Sequence, residues 1–122
     1  MGGMKTLTAD DFLSIQSPAP LPVDLPGDCG RVFVRVMTGS ERDGFEQWFM
    51  DAKNKRAGLV GFRARLVALT LCDENGDRLF TDSPEHLQQL GAKPAPILQR
   101  IFEAAQKHNA MTEEEIDEIA GN

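Results

Sequence analysis

The stretch RARLVALTLCDENGDRLFT, residues 63–81, predicts a β-hairpin, and the rest of the fold is interpreted around it. Its first part is apolar on both faces, as a central strand would be, so we expect a strand over residues 63–72. RLFT, residues 78–81, is expected to be the returning strand. Asn75-Gly76 between two strand patterns is typical of a tight turn, because Gly76 accepts the positive φ that such turns need.

The same turn raises the alternative of a calcium site. Asp73, Asn75 and Asp77 occupy alternate positions, as at the start of a helix–loop–helix calcium loop. Such a loop needs glycine at position 6 and a bidentate glutamate at position 12. Counted from Asp73, those positions hold Arg78 and Pro84, which supply neither the free backbone nor the carboxylate. The sequence therefore predicts a hairpin turn and no metal.

The remaining elements follow from local patterns. RVFVRVM, residues 31–37, alternates as a strand does. Capping residues and apolar periodicity predict helices over about 9–16, from Ser40 onward, over about 83–91, from Pro94 to about His108, and over about 113–120. The expected fold class is α+β: a small antiparallel sheet of about three strands with a β-hairpin, packed against several short helices including a C-terminal helical pair.

The N-terminal region differs in composition from the rest. SPAPLPVDLPGDCG, residues 17–30, contains four prolines, so we expect irregular chain there. Residues 1–30 are accordingly predicted to be an N-terminal helix and a proline-rich arm. Residues 31–122 are predicted to be a single α+β domain that ends in helices.

Bulk composition limits the classes of function. The chain has 122 residues and a net charge of −6, which favours one domain and argues against nucleic-acid binding. No apolar run is long enough to span a membrane, and the N-terminus does not resemble a secretion signal. Cys29 and Cys72 do not suggest a disulfide framework, so we expect both to be reduced in a cytoplasm.

Two features of the helix that begins near Ser40 are candidates for partner binding. Apolar residues recur at helical spacing to form one stripe, which is typical of core packing or, alternatively, of an exposed aromatic ridge. The basic stretch after it indicates either a solvated surface or a docking patch for an acidic partner. The candidate partner-binding residues are Trp48, Phe49, Lys53, Lys55 and Arg56.

Residues with catalytic potential are few. His86 and His108 have no cysteine or second histidine at metal-ligand spacing, and neither cysteine has an evident base beside it. No nucleophile elbow, phosphate-binding loop or dinucleotide fingerprint is present. We therefore expect no enzymatic activity, no catalytic residue, no metal and no cofactor; a small enzyme or metal protein is the least favoured alternative.

The order of segments resembles the tail assembly chaperones of long-tailed (siphovirus-like) bacteriophages and their prophages. The resemblance runs from about residue 8 to the C-terminus and lies in DFLSI followed by the proline-rich link, VFVRVMTGSERDGFEQWF, RARLVALTLCDENGDRLFT and PILQRIFEAAQKHNAMTEEEIDEI. The hairpin ending in Leu79-Phe80-Thr81, followed downstream by a capped acidic helix, is its most telling combination.

The resemblance implies a non-enzymatic role in the cytoplasm of the host bacterium. Such proteins bind the tape measure protein, keep it soluble, help to recruit tail tube protein and are absent from the finished particle. It also implies self-association, for which the basic 52–65 and acidic 113–118 segments are candidate opposite faces. A general interaction or adaptor module of a larger complex remains the alternative.

Overall fold

The structure, a computed structural model, describes residues 3–54 and 61–111, with the backbone alone for residues 52–54. The elements are α1 (Ala9–Leu13), β1 (Leu21–Asp24), a 3-10 turn (Pro26–Asp28), β2 (Arg31–Val34), α2 (Gly39–Asn54), α3 (Phe62–Thr70), β3 (Leu71–Cys72), α4 (Pro84–Gly91) and α5 (Ala95–His108). The predicted α+β class, with a small three-stranded antiparallel sheet and a hairpin, is confirmed. The helix predicted over about 113–120 lies outside the described residues.

The sheet contains one strand where the sequence predicts it, since β2 (Arg31–Val34) lies within the strand expected over residues 31–37, but its two neighbours differ from the prediction. Its order is β1-β2-β3, and Val23 pairs with Val32 while Val34 pairs with Leu71. The expectation of irregular chain over residues 17–30 is therefore wrong for β1, whose Val23 is almost fully buried. A strand at the edge of a sheet tolerates proline, because one side of it makes no ladder hydrogen bonds.

The expected strand over residues 63–72 is mostly a helix. Residues Phe62–Thr70 form α3, and only Leu71 and Cys72 are extended. Alanine, leucine and arginine are strong helix formers, and a helix that is apolar all round is buried, so this pattern fits a core helix as well as a central strand. The helix lies at the centre of the core, with seven of its nine residues buried.

The hairpin turn itself is confirmed, although its returning strand is only a bridge. The Asp73 N–H donates to the Asp77 carbonyl at 2.9 Å, and Gly76 has φ of 90°. The Asp73 carboxylate accepts the N–H groups of Asn75 and Asp77 at 2.8 and 3.0 Å, so it organises the turn. The strand predicted over residues 78–81 reduces to one bridge, between Cys72 and Arg78.

Capping explains where the helices begin. Ser83 caps α4 through the His86 N–H at 3.2 Å, as predicted. The N-cap of α2 is Thr38, two residues before the predicted cap at Ser40. Thr38 Oγ1 accepts the Glu41 N–H at 3.1 Å, and the Glu41 carboxylate accepts the Thr38 N–H at 2.8 Å, which is a complete capping box.

A buried asparagine joins the end of the sheet to α5. The Asn109 side chain accepts the Met37 N–H at 2.7 Å and donates to the carbonyls of Ala105 and Arg35 at 2.8 and 3.2 Å. The chain beyond β2 is thereby tied to the C-terminal end of α5. Buried backbone groups need partners of this kind, so this side chain contributes to holding α5 against the end of β2, in addition to the packing of α5 in the core.

Candidate protein-interaction surface

The apolar stripe of α2 faces the core. Phe45 and Phe49 are buried, with Phe49 only 5% exposed, so Phe49 offers little surface to a partner. Trp48 is half-buried, its ring stacks on Phe45 with centroids 6.1 Å apart, and the Arg65 guanidinium lies 4.5 Å from its centroid. Of the two interpretations of the stripe, core packing is the one that these contacts favour.

The basic candidates are only partly described. The backbone of Lys53 belongs to α2, while Lys55 and Arg56 lie outside the described residues. Farther along the same basic stretch, Arg63 donates to Gln99 Oε1 at 2.8 Å. Arg65 lies 3.7 Å from the Asp82 carboxylate. Those two arginines are therefore engaged by their own chain.

An exposed apolar surface lies at the N-terminus, on residues that are not among the candidate partner-binding residues predicted from the sequence. We call the four side chains Leu7, Phe12, Leu13 and Ile15 the N-terminal apolar segment. Their exposed fractions are 46%, 65%, 80% and 61%, and α1 contains no buried residue. One signal in the sequence points to this surface: large apolar side chains on several sides of a helix too short to bury them all.

The α1 helix is nevertheless well formed locally. The Asp11 N–H donates to Thr8 Oγ1, and the Thr8 N–H donates to Asp11 Oδ2, both at 3.1 Å, which confirms the predicted capping box. The Thr8 N–H bond, together with the Thr8 hydroxyl and Lys5, holds the pKa of the Asp11 carboxyl below its usual range. Five helical residues are far fewer than an isolated helix needs for stability in water, so α1 depends on its capping box and on the rest of the chain.

The chain that connects α1 to the sheet is held at one point on α5. His108 Nε2 lies 3.1 Å from the Ala19 carbonyl oxygen, and because a carbonyl only accepts, Nε2 carries the proton and donates. Residues 16–20 also lie beside the hairpin turn, where Pro20 approaches Gly76. The link is therefore anchored to the body, while α1 projects from it.

A second surface feature is a cavity of about 530 Å³. We call it the α3–α5 groove, because it lies at the N-terminal ends of α3 and α5. Phe62, Ala64, Pro96 and Leu98 supply its apolar lining, and Arg63 and Lys93 its charged lining. Its volume falls within the range of about 300–1,000 Å³ that is typical of binding pockets.

Glu41, whose carboxyl pKa is strongly lowered, serves the fold. Arg35 donates two hydrogen bonds to the Glu41 carboxylate, at 2.7 and 3.0 Å. These bonds, aided by the Thr38 N–H, lower the pKa of Glu41 to about 2 against the opposing effect of burial. Since Glu41 is also half of the α2 capping box, its charge fixes the start of that helix.

The side chains of Cys72 and His86 are also held in place by the fold. Burial raises the pKa of the Cys72 thiol, which disfavours a reactive thiolate. His86 Nδ1 accepts the Thr81 N–H at 2.9 Å, and its ring packs edge-on against Phe80. Among the described residues, no group of three or more His, Cys, Asp and Glu side chains is placed to hold a metal ion.

Comparison with known proteins leaves the site to be interpreted from its own geometry. Neither the known protein families, nor the curated proteins, nor the solved structures gave a match to this chain. Within residues 3–54 and 61–111, no helix has both the length and the apolar character required to cross a bilayer.

Proposed function

We propose that this protein is a non-enzymatic tail assembly chaperone of a long-tailed bacteriophage or prophage. It binds the tape measure protein in the cytoplasm of the host bacterium, keeps it soluble and promotes assembly of tail tube protein around it. Several copies act together along one tape measure protein. The sequence resemblance is the origin of the proposal, and one structural observation supports it.

That observation is the N-terminal apolar segment. A folded monomer rarely leaves large apolar side chains grouped in solvent, and such groups mark surfaces that other proteins cover. Phe12 and Leu13 are 65% and 80% exposed on a helix that is capped yet unpacked. A protein that coats a long partner in many copies needs apolar surface beyond what its own core uses, for contacts with the partner or between neighbouring copies.

The test is co-expression with the tape measure protein from the same genome. We expect the tape measure protein to be insoluble alone, to become soluble with this chain, and to co-purify with many copies of it. The double variant Phe12→Gln/Leu13→Gln is expected to lower the soluble fraction of the tape measure protein several-fold. Met50→Gln, which changes a 50% exposed apolar side chain of α2, is the control and is expected to behave as wild type.

The opposite result would contradict the proposal. If the tape measure protein stays insoluble beside the wild-type chain and does not co-purify, the protein is not its chaperone. The adaptor module of a larger complex then becomes the preferred function, because the exposed segment still calls for a protein partner.

A further inference from the structure

We propose that the N-terminal apolar segment of one copy docks into the α3–α5 groove of a second copy, so that copies join head to tail. The occupant is another molecule of this chain. The inference does not depend on the tape measure protein, because it concerns two surfaces of the purified protein.

The two surfaces match in polarity. The segment presents Phe12, Leu13 and Ile15 on a short helix, and an amphipathic helix laid into an apolar groove is a recurring mode of recognition. The groove offers apolar side chains and is open beside Gly61 and Gly91, where an added Cβ would meet no atom within 4 Å. One surface therefore lacks a partner for its apolar side chains, and the other has the room to receive them.

The two surfaces also match in charge. The first turn of α1 carries Asp10 and Asp11, and Lys5 at 3.3 Å from Asp11 offsets only one of these charges. Among the residues that the structure describes, the lining of the groove includes Arg63 and Lys93 and no acidic residue.

Three helix ends meet at the groove: the N-termini of α3 and α5 and the C-terminus of α4, which ends at Gly91. Neither α3 nor α5 has an acidic residue in its first turn, so the two partial positive charges exceed the one partial negative charge of α4. An acidic helix is the complement of a groove with basic lining at two such ends. Complementary charge of this kind orients the partners and speeds their association.

The reach of the chain favours a second copy over the same one. The link is fixed to His108 at the C-terminal end of α5, whereas the groove lies at the N-terminal end of that helix, about 18 Å away at 1.5 Å per residue. Between Leu13 and Ala19 the chain spans at most about 20 Å when fully extended.

Full extension is not what the link shows. Residues 14 and 15 are still folded back on α1, since their N–H groups donate to the carbonyls of Asp10 and Phe12 at 3.1 and 3.2 Å. Docking into the groove of the same chain would require the link to straighten and run back along α5. A neighbouring copy removes that requirement.

The experiment uses two variants that damage opposite halves of the junction. Phe12→Gln/Leu13→Gln removes two apolar side chains of the N-terminal apolar segment and leaves the core unchanged. Lys93→Glu/Ala95→Glu removes the positive charge and places acids in the groove. Both groove positions are exposed, and an acid at the start of α5 favours that helix, so the fold is preserved. Circular dichroism of each variant verifies this before any comparison.

Sedimentation velocity and light scattering of the purified chain give the readout. The wild type is expected to increase in mass with concentration, through dimer to larger species, because each copy added head to tail leaves one segment and one groove open for the next. Each double variant is expected to be monomeric at the same concentrations. An equimolar mixture of the two is expected to form dimers and nothing larger. Each dimer would join the intact N-terminal apolar segment of one variant to the intact groove of the other, and no further intact pair remains.

Four results would overturn the inference. A wild type that stays monomeric at all concentrations means that the two surfaces do not bind each other. A wild type that stops at a dimer has a closed interface, so its copies do not join head to tail. Variants that associate as the wild type does, or a mixture that remains monomeric, place the contact elsewhere. None of these results involves the tape measure protein, so they are distinct from a failure of the proposed function.

Discussion

Replacing Asn109 with alanine is expected to destabilise the protein by about 2–4 kcal/mol. The side chain makes three hydrogen bonds, to the Met37 N–H and to the carbonyls of Ala105 and Arg35, and Asn109 is only 6% exposed. Each such bond contributes about 0.5–1.5 kcal/mol net, and a buried donor left without a partner costs about 1–3 kcal/mol. The Met37 N–H is the donor that would be left.

Urea denaturation followed by the fluorescence of Trp48, the single tryptophan, measures the loss. With a slope of about 2 kcal/mol per molar urea, the midpoint should fall by about 1–2 M and the slope should not change. Asn109→Asp keeps an acceptor for Met37 but faces two carbonyl oxygens with a carboxylate. It is therefore expected to cost at least as much as alanine at pH 7.

Lys107→Ala is the matched control, because this side chain is exposed on the same turn of α5, and its effect should stay within about 0.5 kcal/mol. A loss below about 0.5 kcal/mol in Asn109→Ala would refute the reasoning. Water or a rearranged backbone would then satisfy Met37, and the position of α5 against β2 would not depend on this side chain.

Three further perturbations test other parts of the fold. The pKa of Glu41 falls from 4.5 to about 2, so its stabilisation is present above about pH 4.5 and lost as the pH drops towards 2. After allowance for solvent screening, the wild type should lose about 1–2 kcal/mol over this window, and Glu41→Gln should lack that pH dependence in acid titrations of stability. Gly76→Ala should lower the free energy of unfolding by about 1–2 kcal/mol, measured by thermal unfolding, because Gly76 has φ of 90°. Gly44→Ala, in open space within α2, should instead raise the free energy of unfolding by up to about 1 kcal/mol, and equal effects of the two variants would contradict this. Leu66→Ala, at a fully buried position of α3, should lower the free energy of unfolding by about 2–5 kcal/mol in urea titrations, and a loss below 1 kcal/mol would show that α3 is not central to the core.

Features set by neighbouring residues are predicted well from the sequence. The caps at Thr8 and Ser83 and the turn at Asn75-Gly76 all lie where the local pattern indicates. Each of them is decided by hydrogen bonds or backbone angles within about four residues. The two-residue error at the start of α2 arises because Thr38 and Ser40 are both suitable caps, and only Thr38 has a glutamate three positions later.

Features set by tertiary contacts are predicted poorly. Residues 63–72 are apolar on every side, so their periodicity does not distinguish a buried helix from a central strand, and the core around α3 decides in favour of the helix. β1 escapes prediction for the opposite reason. Its proline argues against a strand, yet pairing with β2 and burial of Val23 hold it in the sheet.

The candidate surface shows the same division. The stripe with Trp48 and Phe49 has the pattern of an amphipathic helix, and a pattern alone does not say whether that face meets the core or a partner. Burial of Phe49 resolves this position, while the exposure of Leu13 directs attention to α1. The α3–α5 groove is formed by residues more than thirty positions apart, so no local signal reveals it.

The proline in β1 has a consequence for how this protein avoids aggregation. Among the described residues β1 pairs only with β2, so its other side is a sheet edge to which a strand of another chain could add, although the Asp24 carbonyl there already accepts a hydrogen bond from Arg100 Nε at 3.2 Å. Pro22 has no N–H to offer an incoming strand, and the paired charges of Asp24 and Arg31, 2.6 Å apart, lie at the end of the same ladder. Strand addition at this edge is thereby disfavoured. Copies of the chain can gather at high local concentration through side-chain contacts without their sheets fusing.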